Sequence, residues 1–122
     1  MATATAKDHP IRIVPNPNRV RVRLGGKTVV DTTHALTLFE ATYPGVQYVP
    51  RADADMSLLT RTTHKTHCPY KGDASYYSIA ADGRSAENAV WTYEQPLPGV
   101  AEIGGYLAFY PNKVEIDEEK AG

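Results

Sequence analysis

The sequence predicts a mainly β fold, a single small domain of two antiparallel sheets with one or two short helices. Three observations predict it. The run RVRVRL at 19–24 alternates charged and apolar residues at period two, the signature of a half-buried strand. Residues 74–80 and 87–93 are rich in aromatic and β-branched side chains, which pack well on a pleated surface. Only residues 53–59 read as helix throughout the chain.

Residues 1–18, MATATAKDHPIRIVPNPN, are small, polar and proline-bearing, and predict a loose arm lying at most against the body. The ordered domain is expected to span 19–117, leaving 118–122 as a solvated acidic tail. Residues 19–24 and 27–31 form a hairpin turning at Gly25 and Gly26, with Val20, Val22 and Leu24 inward and the arginines outward. The stretch 32–43 is ambiguous. Ala35, Leu36, Leu38 and Phe39 suit a helical face, whereas Leu36, Leu38 and Glu40 suit a strand, so a short helical turn or irregular lead-in should run into a strand. Residues 46–50 make a brief strand closed by Pro50.

Asp53 is placed to cap one or two helical turns carrying Met56 and Leu59. Residues 74–80 and 87–93 pair as a second hairpin around Asp82-Gly83. Pro96, Pro98 and Gly99 break the chain, 100–103 suit a helical turn, and 106–110 with 113–116 predict a last hairpin around Pro111-Asn112.

A chain of 122 residues, 42% hydrophobic and 22% charged, can build one core and one domain. The formal net charge of −1 speaks against broad attraction to nucleic acid, and Arg12, Arg19, Arg21 and Arg23 read as a solvated strand face. Apolar runs are far shorter than the roughly 18 residues of a membrane span, and the N-terminus lacks the order of a secretory signal. The reading is a cytoplasmic domain with no membrane partner. One cysteine excludes an internal disulfide and a four-cysteine zinc site. His64 and His67 would point to opposite faces of an extended segment, so neither a metal nor another cofactor is expected.

The segment Thr66-His67-Cys68-Pro69-Tyr70-Lys71-Gly72 gathers reactive groups in one turn. Cys68 beside Lys71 could hold a thiolate, with His64, His67 or Glu40 as base; otherwise it is a small buried hydrophobe. Glu40 lies in an apolar run, where a carboxylate must be paired or neutral, and Lys71 is the expected partner despite its distance in sequence. Tyr48, Tyr70, Tyr76 and Trp91, with Tyr77 and Tyr93, suit core filling taken singly and a pocket for a flat ligand taken together. Neither Gly-Gly pair forms a phosphate-binding loop, and no serine sits in a nucleophile elbow. An aromatic-lined pocket for an unidentified small molecule is therefore expected, with Glu40, Cys68 and Lys71 as its catalytic residues if it is an enzyme. The alternative is a noncatalytic ligand-binding or protein-interaction module.

Several spaced pieces carry a resemblance: Val30-Asp31, Ala35-Leu36-x-Leu38-x-Glu40, Tyr48-Val49-Pro50 with Asp53, and Leu59. They continue with Thr66-x-Cys68-Pro69-Tyr70-Lys71-Gly72, Tyr76-Tyr77, Ala89-Val90-Trp91-x-Tyr93, Pro96 and Ala108-Phe109-Tyr110. Over about residues 19–117 the chain resembles the family known as domain of unknown function 427, which sometimes carries a nucleotidyltransferase-like label. The resemblance implies a β-tent, two antiparallel sheets meeting at an angle, an architecture shared with methionine sulfoxide reductase B and the cereblon ligand-binding domain. It implies no reaction. The zinc-binding cysteine pairs common among β-tents are absent from this sequence.

Overall fold

In the computed structural model, which describes residues 10–121, strands dominate and the only helices are short 3-10 turns. The strands are β1 (Ile11–Asn16), β2 (Arg19–Leu24), β3 (Lys27–Thr32), β4 (Ala35–Glu40), β5 (Val46–Tyr48), β6 (Leu59–Cys68), β7 (Gly72–Ala81), β8 (Arg84–Thr92), β9 (Leu107–Phe109) and β10 (Glu115–Glu119). The 3-10 turns cover Arg51–Asp53, Met56–Leu58 and Pro98–Ile103.

Among the described residues these strands form three antiparallel sheets rather than two, in the orders β1-β4-β5, β10-β2-β3 and β6-β7-β8-β9. The first and third nearly merge. Val49 and Leu107 exchange both backbone hydrogen bonds at 2.8 Å, but Pro50, which lacks an N–H, follows at once and the ladder stops at that single bridge.

Two of the three expected hairpins form, β2–β3 and β7–β8. Gly25 (φ 59°) and Gly26 (φ 91°) close the β2–β3 loop in the left-handed conformations that two-residue hairpins favour. The arginines of β2 do not simply face water. Arg19 is bidentate on Asp31 of β3 at 2.9 and 2.7 Å, and Arg23 meets Asp117 of β10 at 3.3 Å. The guanidinium holds the Asp31 carboxyl below its usual range, and Arg19 and Arg23 are neutralised within their own sheet, whereas Arg12 lies on β1 over the Phe39 ring.

Three expectations need correction. Residues 11–16 are no loose arm, because Ile11 and Ile13 are buried in the core while β1 pairs with β4 from Ile11↔Glu40 to Asn16↔Ala35. Pro15 is tolerated because β1 is the edge of its sheet. Residues 1–9 of the expected arm lie outside the described residues. The ambiguous stretch resolves as the irregular lead-in, at 33–34, running into the strand at 35–40 without a helical turn, since β4 is central and both its neighbours need its backbone.

Asp53 does not cap the turn that follows it: Thr32 Oγ1 donates to Asp53 Oδ2 at 2.6 Å, and Asp55 instead accepts from Ser57 N at 3.1 Å. The last hairpin does not form either. Leu107, Ala108 and Phe109 are buried and pair with β8, whereas the acidic β10 pairs with the arginines of β2, so its Glu118 and Glu119 are strand rather than tail.

Two apolar clusters result. One joins Val20, Val22, Val29 and Val30 to Ile79, Val90 and Phe109. The other joins Ile11, Ile13, Leu38 and Tyr48 to Tyr76, Tyr93, Val100 and Ile103, and it contains the candidate site.

Candidate functional site

The site lies between the β4–β5 pair and one face of β7–β8. Residues alternate across a strand, so Leu38 and Glu40 of β4 share a face, and the register Leu38↔Val46 and Leu36↔Tyr48 adds β5 to it. From the other side Tyr76 is paired directly with Trp91, and Tyr93 lies two residues beyond Trp91. Between them is a cavity of about 210 Å³ lined by Glu40, Tyr48, Lys71, Tyr76, Trp91, Tyr93 and Tyr110, with Leu38 and Val46 as apolar walls.

Lys71 reaches this cavity because the chain reverses in the Pro69-Tyr70-Lys71 turn and enters β7 at Gly72 with φ 112°, a conformation side-chain-bearing residues rarely adopt. Lys71 N donates to Cys68 O at 3.3 Å, and Lys71 O accepts from Leu97 N at 3.0 Å. Its ammonium is buried and donates to Glu40 Oε1, which is also largely enclosed. The expected long-range pair therefore exists. The structure brings together Glu40, Lys71, Tyr48, Tyr76 and Trp91 of the residues singled out from sequence.

The aromatic groups are organised by hydrogen bonds. Trp91 Nε1 donates to the Tyr48 hydroxyl at 3.1 Å, with the two rings edge-on at 6.3 Å. Tyr76 and Tyr110 share a hydrogen bond between their hydroxyls at 3.2 Å, their rings stack at 6.5 Å, and Tyr76 also meets Thr66 Oγ1 at 3.0 Å. Trp91 leans on Tyr110 with ring centroids 4.6 Å apart. Desolvation pushes the Tyr48 hydroxyl pKa well above its ordinary value and raises that of Tyr93 similarly. Desolvation and the Tyr76 hydrogen bond push Tyr110 up to about 12.

Cys68 and Tyr70 pack against the same cluster from behind but do not line the cavity. Cys68 is the last residue of β6, half-buried, so the reactive segment is strand up to its cysteine and turn only after it. His67 points away to Asp73, with Nδ1 and Oδ1 2.7 Å apart, and His64 lies edge-on to Tyr76 at 4.5 Å. Among the described residues no hydrogen bond joins either ring to the thiol, and no group of three or more His, Cys, Asp or Glu is placed to hold a metal. Tyr77 faces the opposite side of β7, where Arg51 Nη1 donates to its hydroxyl at 3.0 Å and Arg61 joins Glu94 at 2.8 Å.

Tyr93, expected only as one of the wider aromatic set, and Tyr110, not singled out at all, also line the cavity. The signal for Tyr93 was its i, i+2 spacing from Trp91, which puts both on one face of an extended chain. Nothing local marked Tyr110, which is aligned by β9 pairing with β8.

No helix among the described residues is long and apolar enough to cross a membrane. No curated protein matches the chain with significance. The family model described as Domain of unknown function (DUF427) matches residues 12–120, and the chain belongs to that family.

Proposed function

We propose that this is a cytoplasmic domain that binds a small molecule in the cavity between β4–β5 and β7–β8. The observation that carries the reading is the Lys71–Glu40 pair opening onto a cavity with aromatic walls. A buried ion pair is often no more stable than apolar side chains of the same volume, so its place beside a cavity favours a role in binding. Tyr48, Tyr76 and Trp91 offer ring faces and edges, while Lys71 and Glu40 offer a donor and an acceptor.

Binding is favoured over covalent catalysis by the placement of Cys68. Its thiol lies outside the cavity lining, and neither His64 nor His67 is hydrogen-bonded to it, so the nucleophile–base arrangement of a thiol enzyme is not assembled. Glu40 and Lys71 are then ligand contacts first, and acid or base only for a substrate that separates them.

The test is a thermal-shift screen of small metabolites against the wild-type protein and Lys71→Met. A ligand that raises the melting temperature of the first and not of the second supports the reading. A screen in which every stabilising compound acts equally on both proteins would overturn it.

A further inference from the structure

Resting on that reading, we infer that Tyr43 and Leu97 form a second, apolar half of the binding site, and that the ligand is a small molecule with an oxygen-acceptor end in the cavity and an apolar body lying across these two side chains.

Four large apolar side chains are exposed among the described residues, Phe39, Tyr43, Leu97 and Ile116. Phe39 lies under the Arg12 guanidinium at 4.8 Å, and Ile116 lines the apolar cleft beside β2. The other two are the most exposed, Tyr43 at 65% and Leu97 at 41%. Apolar residues scattered singly over a surface are ordinary, whereas neighbouring ones mark a binding surface. Tyr43 and Leu97 belong to different loops, yet both are fastened to the ion pair. Tyr43 N donates to Glu40 O at 3.0 Å, Leu97 N donates to Lys71 O at 3.0 Å, and Lys71 Nζ donates to Glu40 Oε1. These three hydrogen bonds connect the two residues through the charged groups of the cavity.

Backbone geometry holds both loops. Ala41 takes φ 49°, a left-handed conformation costly for a residue with a Cβ, and turns the chain back after β4. Ala41 N donates to Pro10 O at 2.8 Å, and Pro44 follows Tyr43. Leu97 stands between Pro96 and Pro98 at the start of the last 3-10 turn. Proline restricts the backbone beside each exposed side chain, so little freedom is lost when a ligand covers it.

The cavity sets the other end of the ligand. It is half open, so an occupant can extend from it over the rim. Tyr48 accepts from the Trp91 indole, which only donates, and keeps its own proton to give; Lys71 uses one of its N–H groups on Glu40 and keeps others. An oxygen acceptor answers both. A stable protein interface needs roughly 800 Å² per partner, far more than two side chains supply, so the occupant is a small molecule.

The experiment follows the fluorescence of Trp91, the sole tryptophan, in the full chain. The probes are butyramide, hexanamide and octanamide, which keep one acceptor-bearing head and lengthen the apolar body. Affinity should rise along the series, by roughly fourfold for each methylene that reaches the rim. Tyr43→Ser and Leu97→Ser should keep the wild-type melting temperature, bind butyramide as the wild type does, and each bind octanamide about fivefold more weakly. Lys71→Met should weaken every amide. Octanamide affinity unchanged in a serine variant would overturn the contact with that residue, and sensitivity to Lys71→Met would still leave the pocket standing. Affinity independent of chain length would overturn the apolar body. Losses in the serine variants without any effect of Lys71→Met would place the amides outside the cavity and overturn both readings. If no amide perturbs Trp91, the pocket and the inference fall together.

Discussion

Lys71 Nζ donates to Glu40 Oε1 across 31 positions of sequence, tying the turn after β6 to the end of β4. Glu40→Leu leaves a buried ammonium without its carboxylate and should cost about 3 kcal/mol, the low end for breaking a buried pair because the Glu40 side chain keeps some exposure. Combining it with Lys71→Met should recover about 1–3 kcal/mol of the summed single losses. Urea denaturation of the four proteins measures the coupling, and additive effects would show that the pair contributes nothing jointly.

Removing residues 1–16 should unfold the domain or lower its melting temperature sharply. The truncation deletes Ile11 and Ile13 from the core, each worth about 2–5 kcal/mol, and strips one edge of β4. Circular dichroism melts decide it, and an unchanged midpoint would mean that β1 packs only passively.

Trp91→Ala should cost about 3–5 kcal/mol. It removes the ring between Tyr48 and Tyr110 and leaves the hydroxyl of the buried Tyr48 without its donor. Trp91→Phe should cost about 1–3 kcal/mol, chiefly the unmet hydroxyl. Chemical denaturation separates the two, and equal stability of both variants would show that the ring's packing adds nothing beyond its hydrogen bond.

Stability should decline in alkali. The folded state holds the Tyr48, Tyr93 and Tyr110 protons more tightly than an unfolded chain, whose tyrosines titrate near pH 10. Raised acid pKa values in the folded state give stability that is complete below about pH 10 and lost as pH climbs through about 12. Tyr93→Phe should flatten that decline. Phenolate absorbance offers the check, and all eight tyrosines titrating together near pH 10 in native protein would contradict it.

Arg51→Lys should destabilise by about 1–3 kcal/mol although the charge is kept. Arg51 Nε donates to Gly105 O at 2.7 Å and Nη1 to the Tyr77 hydroxyl at 3.0 Å, while the guanidinium lies over the Tyr77 ring at 5.5 Å. A lysine cannot reproduce that fork. Wild-type stability in the variant would place the group in solvent.

Local pattern made the hairpins legible: period-two alternation in β2 and glycine at the turns suffice for the β2–β3 pairing, and aromatic runs around Asp82-Gly83 do so for β7–β8. The Glu40–Lys71 contact was legible because a carboxylate beside Leu38 and Phe39 demands a partner. Non-local pairing was not. Pro15 and a polar neighbourhood disguised β1, whose place depends on β4 having a free edge, and Pro111-Asn112 resembled a hairpin turn although β10 belongs with the arginines of β2. The cavity needs β4, β5, β7 and β8 in register before Tyr93 and Tyr110 face it, and no single window of sequence contains that.

The pairing of β10 with β2 also sets an order of events during synthesis. Asn16 and Glu118, 102 positions apart, meet through a side-chain hydrogen bond at 3.1 Å, so that corner closes a very long loop. Loop closure of that length is entropically unfavourable until intervening contacts shorten it, which makes such contacts slow to form. On the ribosome the β2–β3 and β7–β8 hairpins can assemble as they emerge, while the β2 edge stays open until β10 follows. A nascent chain stalled before residue 115 would expose Val20 and Val22 at an unpaired strand, the point at which chaperone capture or aggregation would begin.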